Sequence, residues 1–132
     1  MDKDETITKI PHTMSDRIIK SIESLKRSSY RTGFRLSDND LLYIRDKGLI
    51  KIRQHARDFI TTRIAPARPA NDGRQTPMKD HPVFVAQHAT ATCCRKCISK
   101  WHNIPKGKAL NEEEITFLID LVMKWIEIQI QD

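Results

Sequence analysis

The stretch NEEEITFLIDLVMKWIEIQIQD, residues 111–132, carries the strongest helical pattern in the chain. Asn111 is a good N-cap, Glu114 stands at the third helical place, and three successive glutamates face the positive end of a helix dipole. Ile115, Leu118, Ile119, Val122, Trp125, Ile126 and Ile130 then recur at three- and four-residue spacing. That spacing puts one apolar stripe along a helix from Glu112 to about Ile130. Such a stripe has to be buried against other elements, so the rest of the chain is expected to supply partner helices.

Upstream the same period appears. Ile18, Ile22 and Leu25, with Ser29, follow Ser15 as the expected N-cap and Asp16 in the first turn. Ser37-Asp38-Asn39-Asp40 has the form of a capping box, with Asp at the place usually held by Glu, and starts a short helix to about Lys47. Gly48 suits the stop. A further helix fits residues 49–64, with Leu49, Ile52, Ala56, Phe59 and Ile60 on one side and Lys51, Arg53, Arg57 and Arg63 on the other, ended by Pro66. Two helices meeting at Gly48 have the outline of a helix-turn-helix, an outline that any helical hairpin shares. Residues 65–82 form a long loop with four prolines and the turn Asn71-Asp72-Gly73. Val83-Phe84-Val85-Ala86 fits a short buried strand, an extended segment or the start of a helix. Thr90 or Thr92 is the expected N-cap of a helix through about His102, broken at Ile104-Pro105. The expected fold is mainly α: one compact domain over residues 14–132, of four or five helices, with a long proline-rich loop and at most one short extended segment. Residues 1–13 read as a flexible arm.

The chain of 132 residues is long enough for one hydrophobic core. No apolar run approaches the roughly 18 residues needed to span a bilayer, and Met1-Asp-Lys-Asp-Glu5 has no apolar signal region. A cytoplasmic protein without a membrane partner is expected. Net charge is +6, and no acid occurs between Asp80 and Glu112, whereas Arg95, Lys96, Lys100, Lys106 and Lys108 all do. That basic window is the candidate for phosphate contacts with nucleic acid.

The chemistry is concentrated in residues 81–102, which hold all three cysteines and three of the five histidines. Cys93, Cys94 and Cys97 are an odd, clustered set, unlike a disulfide framework. Thiolates and neutral imidazoles are zinc ligands, and thiolates also hold iron–sulfur clusters, the less favoured cofactor here. On one helix the three thiols would share a face with Trp101. Candidate ligand sets are Cys93, Cys94, Cys97 and His88, or Cys94, Cys97 and His102 with either His88 or His81. Cys94-x2-Cys97-x4-His102 matches the first three ligands of a zinc knuckle, but Lys106 stands where its fourth ligand belongs. Covalent haem attachment, the zinc deaminase signature and a glycine-rich phosphate loop are absent. Two other functions remain open at this point. One is a thiol enzyme, redox or nucleophilic, with His88 or His102 as base. The other is a small regulatory or inhibitor protein acting on a protein partner. Trp125 is expected in the core, and His12 and His55 in solvent.

The runs PANDGRQTPM (69–78), HPVFVAQHATATCCR (81–95), KWH (100–102) and GLIKIRQHARDFI (48–60) resemble the small bacterial and phage-associated family called domain of unknown function 4186. The resemblance extends over residues 14–130. It implies a single domain and carries no activity, substrate or site residue with it.

Overall fold

A computed structural model describes residues 13–131. It is mainly helical, with seven helical segments and no strand among the described residues: α1 (Met14–Leu25), α2 (Ser29–Thr32), α3 (Asp38–Lys47), α4 (Leu49–Arg63), α5 (Pro82–Ala89), α6 (Arg95–His102) and α7 (Glu112–Gln131). The count exceeds the four or five expected because two short segments carry no apolar period. One is the single turn α2. The other is α5, whose eight residues are all buried. A segment apolar on every side has no stripe to detect, so the sequence could not separate helix from strand at Val83–Ala86. The arm expected over residues 1–13 lies outside the described residues except for Thr13.

Helix α7 is the centre of the packing, with α1, α4 and α5 laid against it. Its buried face includes Phe117, Leu118, Leu121, Val122 and Ile126. Against these lie Ile18 of α1, Ile52, Ala56 and Ile60 of α4, and Val83 and Ala86 of α5, all in one cluster of buried side chains. Each large aliphatic side chain in that cluster contributes roughly 1.5–3 kcal/mol through burial. Two ion pairs run between α4 and α7 at the surface, Arg53–Asp120 at 2.6 Å and Arg57–Glu112 at 3.0 Å. The Arg63 guanidinium lies over the rings of Phe59 and Phe84. The arginines on the outer side of α4 thus have partners within the fold, Arg53 and Arg57 in these ion pairs and Arg63 on the two rings.

The caps explain most of the boundaries. Ser37 and Asp40 exchange side chain-to-backbone bonds of 3.0 Å in both directions. Asn111 and Glu114 do the same at 2.8 and 2.9 Å. Gly48 ends α3 and opens α4 with φ +85°, a conformation that costs a residue with a Cβ. At α1 the cap is Thr13, which accepts from the Asp16 amide at 3.0 Å, not the expected Ser15. At α6 it is Cys94, not Thr90 or Thr92.

Residues 64–81 carry no helix, but their polar groups are tied down. The Gly73 amide donates to Gln75 Oε1 at 2.7 Å, and Gln75 Nε2 donates to Asp72 Oδ1 at 2.8 Å. Asp72 Oδ1 also accepts from the Arg95 amide at 3.0 Å. This bond reaches into the first turn of α6, beside the cysteines. No described helix is long and apolar enough to cross a membrane.

Candidate metal centre

The cysteines stand where the buried helix α5 gives way to α6. Cys93 and Cys94 lie just before α6, and Cys97 is in its first turn. The shared helical face expected for all three is therefore not how they meet. Cys94 has extended backbone and serves as N-cap, its Sγ accepting from the Cys97 amide at 3.4 Å. Sulfur here takes the part usually played by a serine or aspartate oxygen. The helix start favours negative charge at that position. The Cys94 and Cys97 sulfurs are 3.2 Å apart and those of Cys93 and Cys97 are 3.7 Å apart. All three Sγ atoms lie within 4.8 Å of one another. Cys93 and Cys94 are buried and Cys97 is half-buried.

A residue that the sequence did not mark completes the cluster. Arg31, on the single turn α2, is 8% exposed. Its Nη2 donates to Cys97 Sγ at 3.2 Å, and its Nη1 lies 3.9 Å from Cys93 Sγ and donates to the His88 carbonyl at 2.7 Å. These contacts order the three thiols. Hydrogen bonds from Cys93 and Cys94, and then the Arg31 guanidinium, hold the Cys97 thiol well below its ordinary value. Cys93 is pushed far up by hydrogen bonding with Cys94 and Cys97, and then by burial. Cys94 is raised as well: the bond from Cys93 favours its thiolate, but its bond to Cys97 and its burial outweigh that.

The loop closes over this cluster. Thr76 Oγ1 donates to the Cys93 carbonyl at 2.8 Å. His88 Nε2 donates to the carbonyls of Thr76 and Pro77, both at 3.1 Å, and its ring stacks on Phe34. His102 Nε2 donates to the Thr90 carbonyl at 2.8 Å, while its Nδ1 is buried without a partner. Burial keeps the His102 ring neutral by lowering its pKa. His81 caps α5, its Nδ1 accepting from the Val83 amide at 3.0 Å, and its Nε2 is 3.0 Å from His55 Nδ1. The group of potential ligands among the described residues thus contains the three cysteines and none of the candidate histidines His81, His88 and His102. Each ring is engaged elsewhere. No hydrogen bond joins an imidazole to a thiol either, so the cysteine–histidine nucleophile pair is not assembled among the described residues. His55, expected in solvent, is instead half-buried beside His81, with Tyr43 and Phe59 around the pair.

The basic window divides. Lys96, Lys100, Lys106 and Lys108 are exposed. Arg95 is 1% exposed and points inward. Its Nη1 donates to the carbonyls of Ile64, Ala65 and Pro66, and its Nη2 to those of Pro105 and Lys108, at 2.7–3.4 Å. Arg95 is a structural tie between the two loops flanking the site, which corrects its expected place among phosphate contacts. Trp101 lines a cleft with Arg17 and Glu114.

The donor set suits a thiophilic metal. A zinc ion with bonds of about 2.3 Å to sulfur needs tetrahedral sulfurs about 3.8 Å apart. The observed 3.2 and 3.7 Å require only small side-chain adjustments. Fold and site together define a helical protein with a largely buried three-cysteine cluster bonded by an arginine.

The chain belongs to the family described as Domain of unknown function (DUF4186), whose pattern matches residues 19–127. The resemblance noted in the sequence is thereby confirmed. No solved structure matches the chain.

Proposed function

We propose that the protein is a small metal-binding module whose centre is held by Cys93, Cys94 and Cys97, with zinc as the ion. The observation that carries this reading is the convergence of three sulfurs within 4.8 Å, beside a buried guanidinium. Three thiolates and a divalent ion sum to one negative charge, and Arg31 cancels it. That balance matters where the charges are withdrawn from water. Hydrogen bonds from Arg31 to the ligand sulfurs are of the kind that orients ligands and tunes a metal site. Three protein ligands leave a fourth coordination position for water or a further ligand, the arrangement of zinc sites that do chemistry. An iron–sulfur cluster on the same cysteines is the alternative cofactor.

The module contacts nucleic acid through Lys96, Lys100, Lys106 and Lys108. These four exposed lysines stand in the acid-free stretch around the centre. The test is metal stoichiometry by mass spectrometry on anaerobically purified full-length protein, with DNA and RNA binding measured across a salt series. One zinc per chain, lost in Cys97→Ser, supports the centre; a folded, metal-free protein contradicts it. Four phosphate contacts predict a log–log salt slope of about −3 to −4. Affinity independent of salt contradicts the nucleic-acid contact and leaves the metal result standing.

A further inference from the structure

Arg31 also forms part of the wall of a groove of about 440 Å³, on the side of the molecule where α1, α2 and α7 come together. Ile22, Leu25, Trp125 and Ile128 give the groove its apolar surface. Ile22, Trp125 and Ile128 are only half-buried. Trp125, expected in the core, packs against its edge and presents the rest of its side chain to this groove. The charges are all of one sign: Lys26, Arg31 and Arg35 line the groove and no acid does. Among the described residues no carboxylate pairs with any of the three. Lys26 and Arg35 are exposed and stand at the rim, whereas Arg31 is buried at the inner end.

The valences of Arg31 sharpen the chemistry. A guanidinium has five N–H bonds. Both on Nη1 are directed at the His88 carbonyl and Cys93 Sγ, and one on Nη2 at Cys97 Sγ. Nε–H and the second Nη2–H remain. Nε and Nη2 lie on one edge of the planar group, the edge through which a guanidinium can meet both oxygens of a carboxylate. A groove of this size is in the range of small-molecule sites, which are apolar with a few placed polar groups.

We propose that the groove binds a small organic carboxylate with an apolar, flat body. The body lies on Ile22, Leu25 and Trp125, and the carboxylate is held by Arg31 with Lys26 and Arg35 supplying attraction at the rim. Arg31 would then touch the ligand with one edge and the thiol cluster with the other, which couples the two sites through a single side chain. Ligand binding in this groove does not require a metal on the cysteines.

The test is calorimetry on the full chain with naphthalene-2-carboxylate against naphthalene-2-carboxamide, which share a body and differ in charge. The Trp125 indole N–H is followed by NMR and assigned with Trp101→Phe. The carboxylate should bind about tenfold or more tightly than the amide, in keeping with charge-assisted bonding, and should shift the Trp125 signal. Arg31→Met should remove most of that preference, Lys26→Ala with Arg35→Ala should reduce it without abolishing it, and Thr32→Trp, at an exposed position on the wall, should block both compounds. Equal affinities, binding that leaves Trp125 unmoved, or no binding at millimolar concentration would each overturn the proposal. Metal content measured on the same samples keeps this outcome separate from that of the metal centre.

Discussion

Arg31 donates to Cys97 across 66 residues of chain, at 3.2 Å, in a site that is mostly shut off from water. A buried arginine on sulfur is informative because an isolated guanidinium is costly to bury and needs an anionic partner. Here the partner is the thiol with the most thiolate character of the three. The relationship explains why a one-turn helix, α2, is held firmly against the end of α5 and the start of α6.

Replacing Arg31 should therefore weaken the metal centre more than the fold. Arg31→Met keeps much of the buried bulk and removes the donors to Cys93 and Cys97. Metal affinity should fall about 10- to 100-fold, as for other outer-shell partners of metal ligands. Competition with a chromophoric chelator measures it. Unchanged affinity with intact folding would show that the guanidinium does not act on the centre.

Arg95 makes a separate prediction, for stability. Its Nη atoms satisfy five backbone carbonyls from the two loops beside the site. Lysine keeps the charge but not the planar fork, so Arg95→Lys leaves several carbonyls without donors. The loss should be about 2–4 kcal/mol, read from urea unfolding. In contrast, Lys100→Ala, at an exposed position, should stay within about 0.5 kcal/mol of wild type. A near-neutral Arg95→Lys would mean that these carbonyls find other partners.

The His55–His81 pair gives a pH dependence whose sign is fixed. His81 is held down to about 4 from an ordinary 6.5, by burial first and by neighbouring His55 second, with Asp40 opposing. The unfolded chain takes up this proton before the folded one does. The contribution is therefore complete above about pH 6.5 and is lost as the pH falls towards 4. Protonation would also put hydrogen on Nδ1, which caps α5 by accepting from Val83. His81→Asn retains a cap acceptor and removes the titration. Its melting temperature should fall less steeply than wild type between those pH values, and parallel curves would contradict the assignment.

At Gly48 the backbone alone sets the cost. The φ of +85° with ψ 153° suits glycine, and apart from its neighbours along the chain no atom lies within 4 Å of where a Cβ would stand. Gly48→Ala should then destabilise by about 1–3 kcal/mol through conformation and not through crowding. A much larger loss would mean that the α3–α4 joint moves when substituted.

Much of this architecture is written locally. The stripe of α7, the reciprocal caps at Ser37–Asp40 and Asn111–Glu114, and the stop at Gly48 depend on neighbours within a turn, so the sequence shows them directly. The cysteine cluster was visible for the same reason, since three ligands within five residues converge with little help. What escaped depends on distant contacts. Arg31 looks like one of many surface cations until the fold brings it to Cys97. Arg95 shares its composition signal with the exposed Lys96, although only one of the two is turned inward. The histidines lie beside the cysteines in sequence, but ring direction is set by carbonyls of Thr76, Pro77 and Thr90 that no spacing rule anticipates.

Three cysteines sharing one zinc ion have a distinct signature in X-ray absorption at the zinc edge of the zinc-loaded protein: three sulfur neighbours at about 2.3 Å and one lighter atom at about 2.0 Å in the fourth position. Two sulfurs with two imidazole nitrogens would contradict it by bringing histidines into the centre, and a protein that takes up no zinc would remove the centre altogether.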